Sequence, residues 1–269
     1  MEKQIYAEDK LPGILYSHLD CREMVGEQFV IEHGVCYMFS GVFKVADAMA
    51  STAFRAGEML FFRKNFLAKF VKHPEDGLDF RSIAVVFDRE FLLEFNKEHG
   101  YVFETPYPTN RAVLKLEPDI LIKNFFETLA HYFDSSLHEH LAKLKKKELL
   151  LLLLQLQPEL KNVFFDFSIP GKIDLEVFMQ QNYRFNVDMK RLAFLTGRSL
   201  ATFKRDFQKT FHTTPNRWLQ QRRLEEAHYL LKEKQKRPSD VYQEVGFESL
   251  SHFSYAFKQF FGVNPSSIH

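Results

Sequence analysis

The sequence predicts an α+β chain. An N-terminal β-rich region folded as a barrel or sandwich comes first, then a pair of helices, then an all-α region built from a repeated helical unit. Three observations carry this. Short segments rich in Val, Ile, Phe and Tyr alternate with glycines through the first hundred residues. After Pro106 and Pro108 the apolar spacing lengthens to that of a helix. In the last hundred residues a pattern recurs at an offset of fifty: Ser199, Leu200, Phe203, Phe207, Phe211 and Pro215 coincide with Ser249, Leu250, Phe253, Phe257, Phe261 and Pro265. Phenylalanines four apart put one ring per turn on a single, buried helix face.

Within the β-rich region, residues 28–31, 35–39, 59–62 and 83–87 read as strands, and Gly34, Gly41, Gly57 and Gly77 mark turns between them. Many short strands favour a barrel or a sandwich. Residues 89–99 read as a short helix on its edge. A helix starts at Asp119 and runs to about 134, with Ile122, Phe125, Phe126 and Leu129 on one face. A second covers about 137–155 and carries Leu137, Leu141 and Leu144 before the run from Leu149 to Leu154. Lys143, Lys145, Lys146 and Lys147 keep one side of its middle wet. The leucine run is apolar all round and so is expected to be buried all round, against the barrel and a second subunit or wholly within the chain. Residues 157–171 hold two prolines and a glycine and read as an interdomain linker, docked through Phe164, Phe165 and Phe167. The expected organisation is therefore 1–110 barrel, 111–156 helical dimerisation segment, 157–171 linker and 172–269 helical domain.

In the helical domain, residues 175–181 form an opening helix. Residues 187–195 form the first helix of a helix–turn–helix, Gly197 its turn, and Ser199 the N-cap of its second helix. Pro215 then begins a long helix at a position where its missing N–H costs nothing. Pro238 restarts the pattern: 239–244, a turn at Gly246, and a second reader over 250–260. Upstream of the turns the offset slips by one, so the second turn is one residue longer.

Charge is unevenly spread. Residues 171–269 hold 16 Lys and Arg against 10 Asp and Glu, and the first 170 hold 20 against 25. A basic C-terminal part beside an acidic N-terminal part fits an anion-binding module joined to a regulatory one. Two cysteines, Cys21 and Cys36, without metal spacing, point to a reduced compartment and idle thiols. The first residues lack an apolar signal core and the leucine run is far short of a membrane span, so a cytoplasmic protein without membrane contact is expected. Catalytic patterns are poor. His138 and His140 fall on different helical faces, and Glu32-His33 lacks the set a metal-binding cupin needs. No cofactor, metal or catalytic residue is expected.

Taken together these residues resemble the AraC/XylS family of bacterial transcription regulators. The resemblance rests on Leu192-Ala193, Gly197-x-Ser199, Arg223-Leu224-Glu225-Glu226-Ala227 and Leu230-Leu231. It continues through Val245-Gly246-Phe247, Ser251-His252-Phe253-Ser254, Ala256-Phe257-Lys258 and Gly262-Val263-Asn264-Pro265. It covers about 175–269, and the β-then-helices order before it is similar to the family's cupin-like barrel and dimerisation helices. The implied protein is a sequence-specific regulator, an activator by family habit, that binds operator DNA as a homodimer and contacts RNA polymerase. A signal at its N-terminal domain controls it. Departures are His212 in place of the glycine that Gly262 supplies, Tyr255 where an arginine is frequent, and Tyr242 where an alanine is usual.

On that reading the first reader offers Ser199, Ala201, Thr202, Lys204, Arg205, Gln208 and Lys209, with Arg205 suited to guanine and Ala201 to a thymine methyl. The second offers Leu250, Ser251, Ser254, Tyr255 and Lys258, an uncharged surface suited to orientation and shape more than base reading. Lys209, Arg217 and Lys258 are phosphate candidates. Leu137, Leu141 and Leu144 are the dimer candidates. For an effector, Arg55, Arg63, Asn65 and Arg81 are the only polar nominees in the barrel, which favours an aromatic-filled interior controlled by a partner protein over an apolar small molecule. A cupin-type metalloenzyme fused to a DNA-binding module is the rival from another class.

Overall fold

The computed structural model describes residues 7–20, 23–75, 77–117, 119–134 and 139–268. The chain divides into two compact units, Met1–Ser168 and Ile169–His269.

The first unit contains β1 (Ala7–Leu11), β2 (Ile14–Leu19), β3 (Met24–Val30), β4 (His33–Ser40), β5 (Val42–Ala46), β6 (Ser51–Phe54), β7 (Met59–Phe62), β8 (Phe66–His73) and β9 (Phe80–Phe87). α1 (Arg89–His99), β10 (Val113–Leu116), α2 (Ile120–Ala130), α3 (Glu139–Leu156) and α4 (Lys161–Phe164) follow. Two antiparallel sheets form, in the orders β1-β2-β9-β4-β7-β10 and β3-β8-β5-β6. Side chains alternate across a strand, so each strand of the larger sheet feeds two cores. Val35 and Tyr37 of β4, with Phe61, Ile83, Val85 and Phe87, face α1, α2 and α3. Cys36 and Met38, with Leu60 and Phe80, face Phe43, Val45 and Phe54 of the smaller sheet. β4 is consequently buried on both faces, and the unit is layered as sheet, sheet, helices.

The expected barrel is thus an open sandwich. Among the described strands none joins the two sheets. Bulky rings fill the space between them: Phe43 meets Phe80 and Phe70 edge-on, each at 5.9 Å. Sheets packed face to face stand about 10 Å apart, the width such rings span. Cys36 is buried there and burial pushes its thiol up to about 11. Cys21 lies outside the described residues.

α3 departs from its expected burial. Leu149, Leu150, Leu153 and Leu154 are buried, yet Leu144 is 61% and Leu151 42% exposed. Nor is its lysine side uniformly wet. Lys143 and Lys147 pair with Glu94 and Glu98 of α1 at 2.7 and 2.8 Å. Lys146 is buried, 2.9 Å from Asp88 and over the Phe91 ring. The acids on α1 turned a solvated face into an interhelical one. The stretch read as linker also packs: Leu160, Val163, Phe164 and Phe165 are buried in the helix-side core.

The second unit is helical: α5 (Leu175–Asn182), α6 (Met189–Leu195), α7 (Leu200–Phe211), α8 (Pro215–Lys232), α9 (Pro238–Glu244) and α10 (Leu250–Phe261). α9 begins 49 residues after α6, and α10 begins 50 after α7, which locates the extra residue in the second turn. No helix among the described residues is long and apolar enough to cross a membrane.

Candidate nucleic-acid interface

The repeat is a structural repeat. Ser199 and Ser249 cap α7 and α10, each hydroxyl accepting from a backbone N–H three residues on, Thr202 and His252, at 3.2 Å. Phe203 and Phe207, like Phe253 and Phe257, retain no exposed surface. α8 supplies the partner to both ladders. Trp218 packs on Phe207 and Phe211 at 5.8 and 4.8 Å, and His228 packs on Phe261 at 4.8 Å. His212 does what Gly262 does. It ends α7 in the left-handed region at φ 55°, where Gly262 ends α10 at φ 79°, and each N–H donates to the carbonyl four residues back. The first turn therefore keeps the geometry of the second at the expense of a crowded Cβ.

Both helix–turn–helix turns need glycine. Gly197 has φ 65° and Gly246 φ 94°. A Cβ at Gly197 would strike Gly171, and one at Gly246 the Arg184 carbonyl. Arg223 then locks the two units together. Its guanidinium donates to the carbonyls of Tyr183 at 2.7 Å, Phe185 at 2.8 Å and Gly246 at 2.9 Å. Asn186 adds a bond to Glu248 at 2.8 Å. The sequence held a signal for this clamp: Arg223 stands four residues from both Leu219 and Ala227, on the buried side of α8.

The outer faces differ. On the first reader Ser199, Ala201, Lys204, Arg205, Gln208 and Lys209 are exposed, and Thr202 is half-buried. Arg205 is 77% exposed and 3.6 Å from Asp206. Asp206 is already held by Arg198 at 3.1 Å and Lys172 at 3.3 Å, and the Arg198 hydrogen bond keeps its carboxyl below the usual range. That arrangement leaves Arg205 loosely tied. On the second reader Leu250, Ser251, Tyr255 and Lys258 are exposed and Ser254 is half-buried. Tyr255, at 67%, is the most open aromatic of the two readers.

The four effector nominees do not converge. Arg63 donates to the carbonyls of Thr109 and Arg111 and lies over the Phe66 ring. Asn65 occupies the β7–β8 turn at φ 64°. Arg55 pairs with Glu75 at 3.2 Å, and Arg81 lies 3.4 Å from the Ser40 hydroxyl. β7 runs from the Arg55 end of the sandwich to the Arg63 end, so the strand itself keeps the pairs apart. Among the dimer candidates Leu144 is exposed, Leu141 half-buried, and Leu137 outside the described residues. His33 of the Glu32-His33 pair is buried between Phe61 and Phe164, and desolvation lowers its imidazole to about 3. Among the described residues no cluster of His, Cys, Asp and Glu could hold a metal.

Two helix–turn–helix units clamped on one linking helix, behind an N-terminal regulatory unit, define a DNA-binding transcription regulator. Residues 192–268 match the model of a helix-turn-helix domain, and residues 33–163 match that of the ExsA N-terminal regulatory domain. Together these two matches support an AraC/XylS family transcription regulator. It is 27% identical over 246 residues to the HTH-type transcriptional regulator ExsA of Pseudomonas aeruginosa, covering 87% of this chain and 85% of that one. Over 92 residues it is 34% identical to the virulence regulon transcriptional activator VirF of Yersinia enterocolitica, a match spanning 34% of each. The solved structure of ToxT from Vibrio cholerae is similar over 94% of this chain and 97% of its own, at 12% identity and a TM-score of 0.43. These relatives are regulators and not enzymes.

Proposed function

We propose that the chain works in the cytoplasm as a homodimeric activator. It reads operator DNA chiefly through Arg205, Lys204 and their neighbours on α7. α10 orients the complex through Leu250, Ser251, Ser254, Tyr255 and Lys258, and the bound dimer contacts RNA polymerase. The supporting observation is the pair of equivalent buried ladders carrying unequal outer faces, one with three cations and one with a single lysine. Neutralised phosphates release counterions, so affinity of the full chain for a duplex selected from a random pool should fall steeply with salt. Salt-independent binding would remove DNA as the partner. Arg205→Ala should weaken that binding by about 1–3 kcal/mol.

The dimer seam lies on the open side of α3. Leu144 and Leu151 stand seven residues apart there, with Leu141 beside them, the spacing of a coiled-coil stripe. Leu141→Asp with Leu144→Asp would set carboxylates in that seam. Sedimentation should then find a folded monomer, and a variant that stays dimeric refutes the seam. A partner protein is the favoured signal for the first unit, because Phe43, Phe70 and Phe80 occupy the space between its sheets. A metabolite that binds there at 100 times its dissociation constant would add about 2.7 kcal/mol to unfolding, and one such shift would transfer control to a small molecule.

A further inference from the structure

We propose that Phe167 is a releasable clasp that sets the length of the tether between the regulatory and DNA-binding units. The chain leaves the first unit through two anchors of unequal depth. The deep one is Phe164 and Phe165. Phe164 is fully buried, edge-on to Phe61 at 5.1 Å and Phe87 at 5.3 Å, and Phe165 stacks on Tyr101 at 5.1 Å. The shallow one comes two residues later. The half-buried Phe167 ring is contacted by two cations, 5.5 Å from the Lys64 Nζ and 5.3 Å from the Arg89 guanidinium. Lys64 also donates through Nζ to the Asp166 carbonyl, while its backbone N–H donates to His33 Nδ1 at 3.2 Å. One residue thus ties the exit segment to the β7–β8 turn.

Beyond Phe167 little chain remains. Gly171 is pressed against Gly197, and the Ile173 carbonyl accepts from Arg198 at 3.0 Å, so both are seated on the second unit. Between the clasp and that seat lie only Ser168, Ile169 and Pro170. With the clasp shut these three span at most about 10 Å, and with it open the five residues from Asp166 to Pro170 span at most about 17 Å. Cation–π contacts at exposed sites are weak one by one, whereas the rings of Phe164 and Phe165 are deep in the core, so opening should stop at Phe165. Lys64 and Arg89 are the handles: an acidic segment of a regulator that draws them off Phe167 would lengthen the tether without unfolding the unit.

The clasp rests on the homodimer reading, because tether length matters only when two DNA-binding units share one duplex. Effective concentration falls as roughly the −3/2 power of tether length, about twofold per protomer for three residues becoming five. The test compares the full chain with Phe167→Ala and Arg89→Gln on a two-site duplex selected from a random pool and on the same duplex with one half-site scrambled. Hydrogen exchange is read alongside. Expected are a two-site advantage at least about twofold lower in each variant and faster exchange confined to 166–169. Unchanged two-site advantage, or exchange that rises equally in 160–165, overturns the clasp. A wild-type chain with no two-site advantage overturns instead the dimer reading beneath it.

Discussion

α7 and α10 each bury a pair of phenylalanines one turn apart, begin at a serine cap and end in a left-handed residue. Their solvent sides have little in common. α7 presents Lys204, Arg205 and Lys209, whereas α10 presents Leu250, Tyr255 and one cation, Lys258. The difference separates two kinds of constraint. Residues that touch α8 answer to packing, which is the same problem in both units. Residues that touch neither α8 nor a turn are free of it, and there the two copies differ, one carrying three cations and the other a single lysine.

The comparison breaks first if the skeletons are not equivalent. Phe203→Ala and Phe253→Ala should each cost about 3–5 kcal/mol by urea unfolding of the second unit, with similar values for the two. A cost confined to one copy would mean that only one ladder is structural. Next comes the shared clamp. Arg223→Met would strand three carbonyls, and hydrogen bonds to a charged group contribute about 1.5–3 kcal/mol each, so a loss of about 2–4 kcal/mol is expected. Exchange should speed up at both the Tyr183–Phe185 segment and the Gly246 turn together. Faster exchange at one alone would show that the units are held separately.

The smallest effect concerns the caps. His212→Gly should stabilise the second unit by about 0.5–1 kcal/mol, since only the histidine has a Cβ in the left-handed region. Gly262→Ala should destabilise it by about as much. Equal and unchanged melting temperatures for the two variants would mean that the caps are not under the same backbone demand.

The skeleton was legible because it obeys short-range rules: phenylalanines every fourth residue, serine at the caps, glycine at the turns and proline at the start of α8. The residues 89–99, read as a helix from their pattern, form α1 with Asp88 as its cap. What sequence missed depends on partners distant in the chain. A barrel and an open sandwich share the same alternating strands, and only the pairing order separates them. Lys146 read as wet because its partner, Asp88, caps a helix distant in the chain. The stretch after Pro158 reads as a linker docked through Phe164, Phe165 and Phe167, but which core its rings complete, the helix-side one, depends on strands and helices distant in the chain. Arg55, Arg63, Asn65 and Arg81 were grouped by polarity, which carries no information about which end of a sandwich a residue occupies.

The decisive measurement is base-by-base discrimination on a duplex selected from a random pool, with every base pair changed in turn. It is made for the full chain and for Arg205→Ala and Tyr255→Ala. If the units share a skeleton but divide the reading unequally, Arg205→Ala flattens discrimination at one base step. Tyr255→Ala should then lower affinity for all duplexes by a similar factor and leave the pattern of preferences intact. Loss of a base preference with Tyr255→Ala, while Arg205→Ala merely weakens all duplexes alike, would contradict the assignment of the two surfaces.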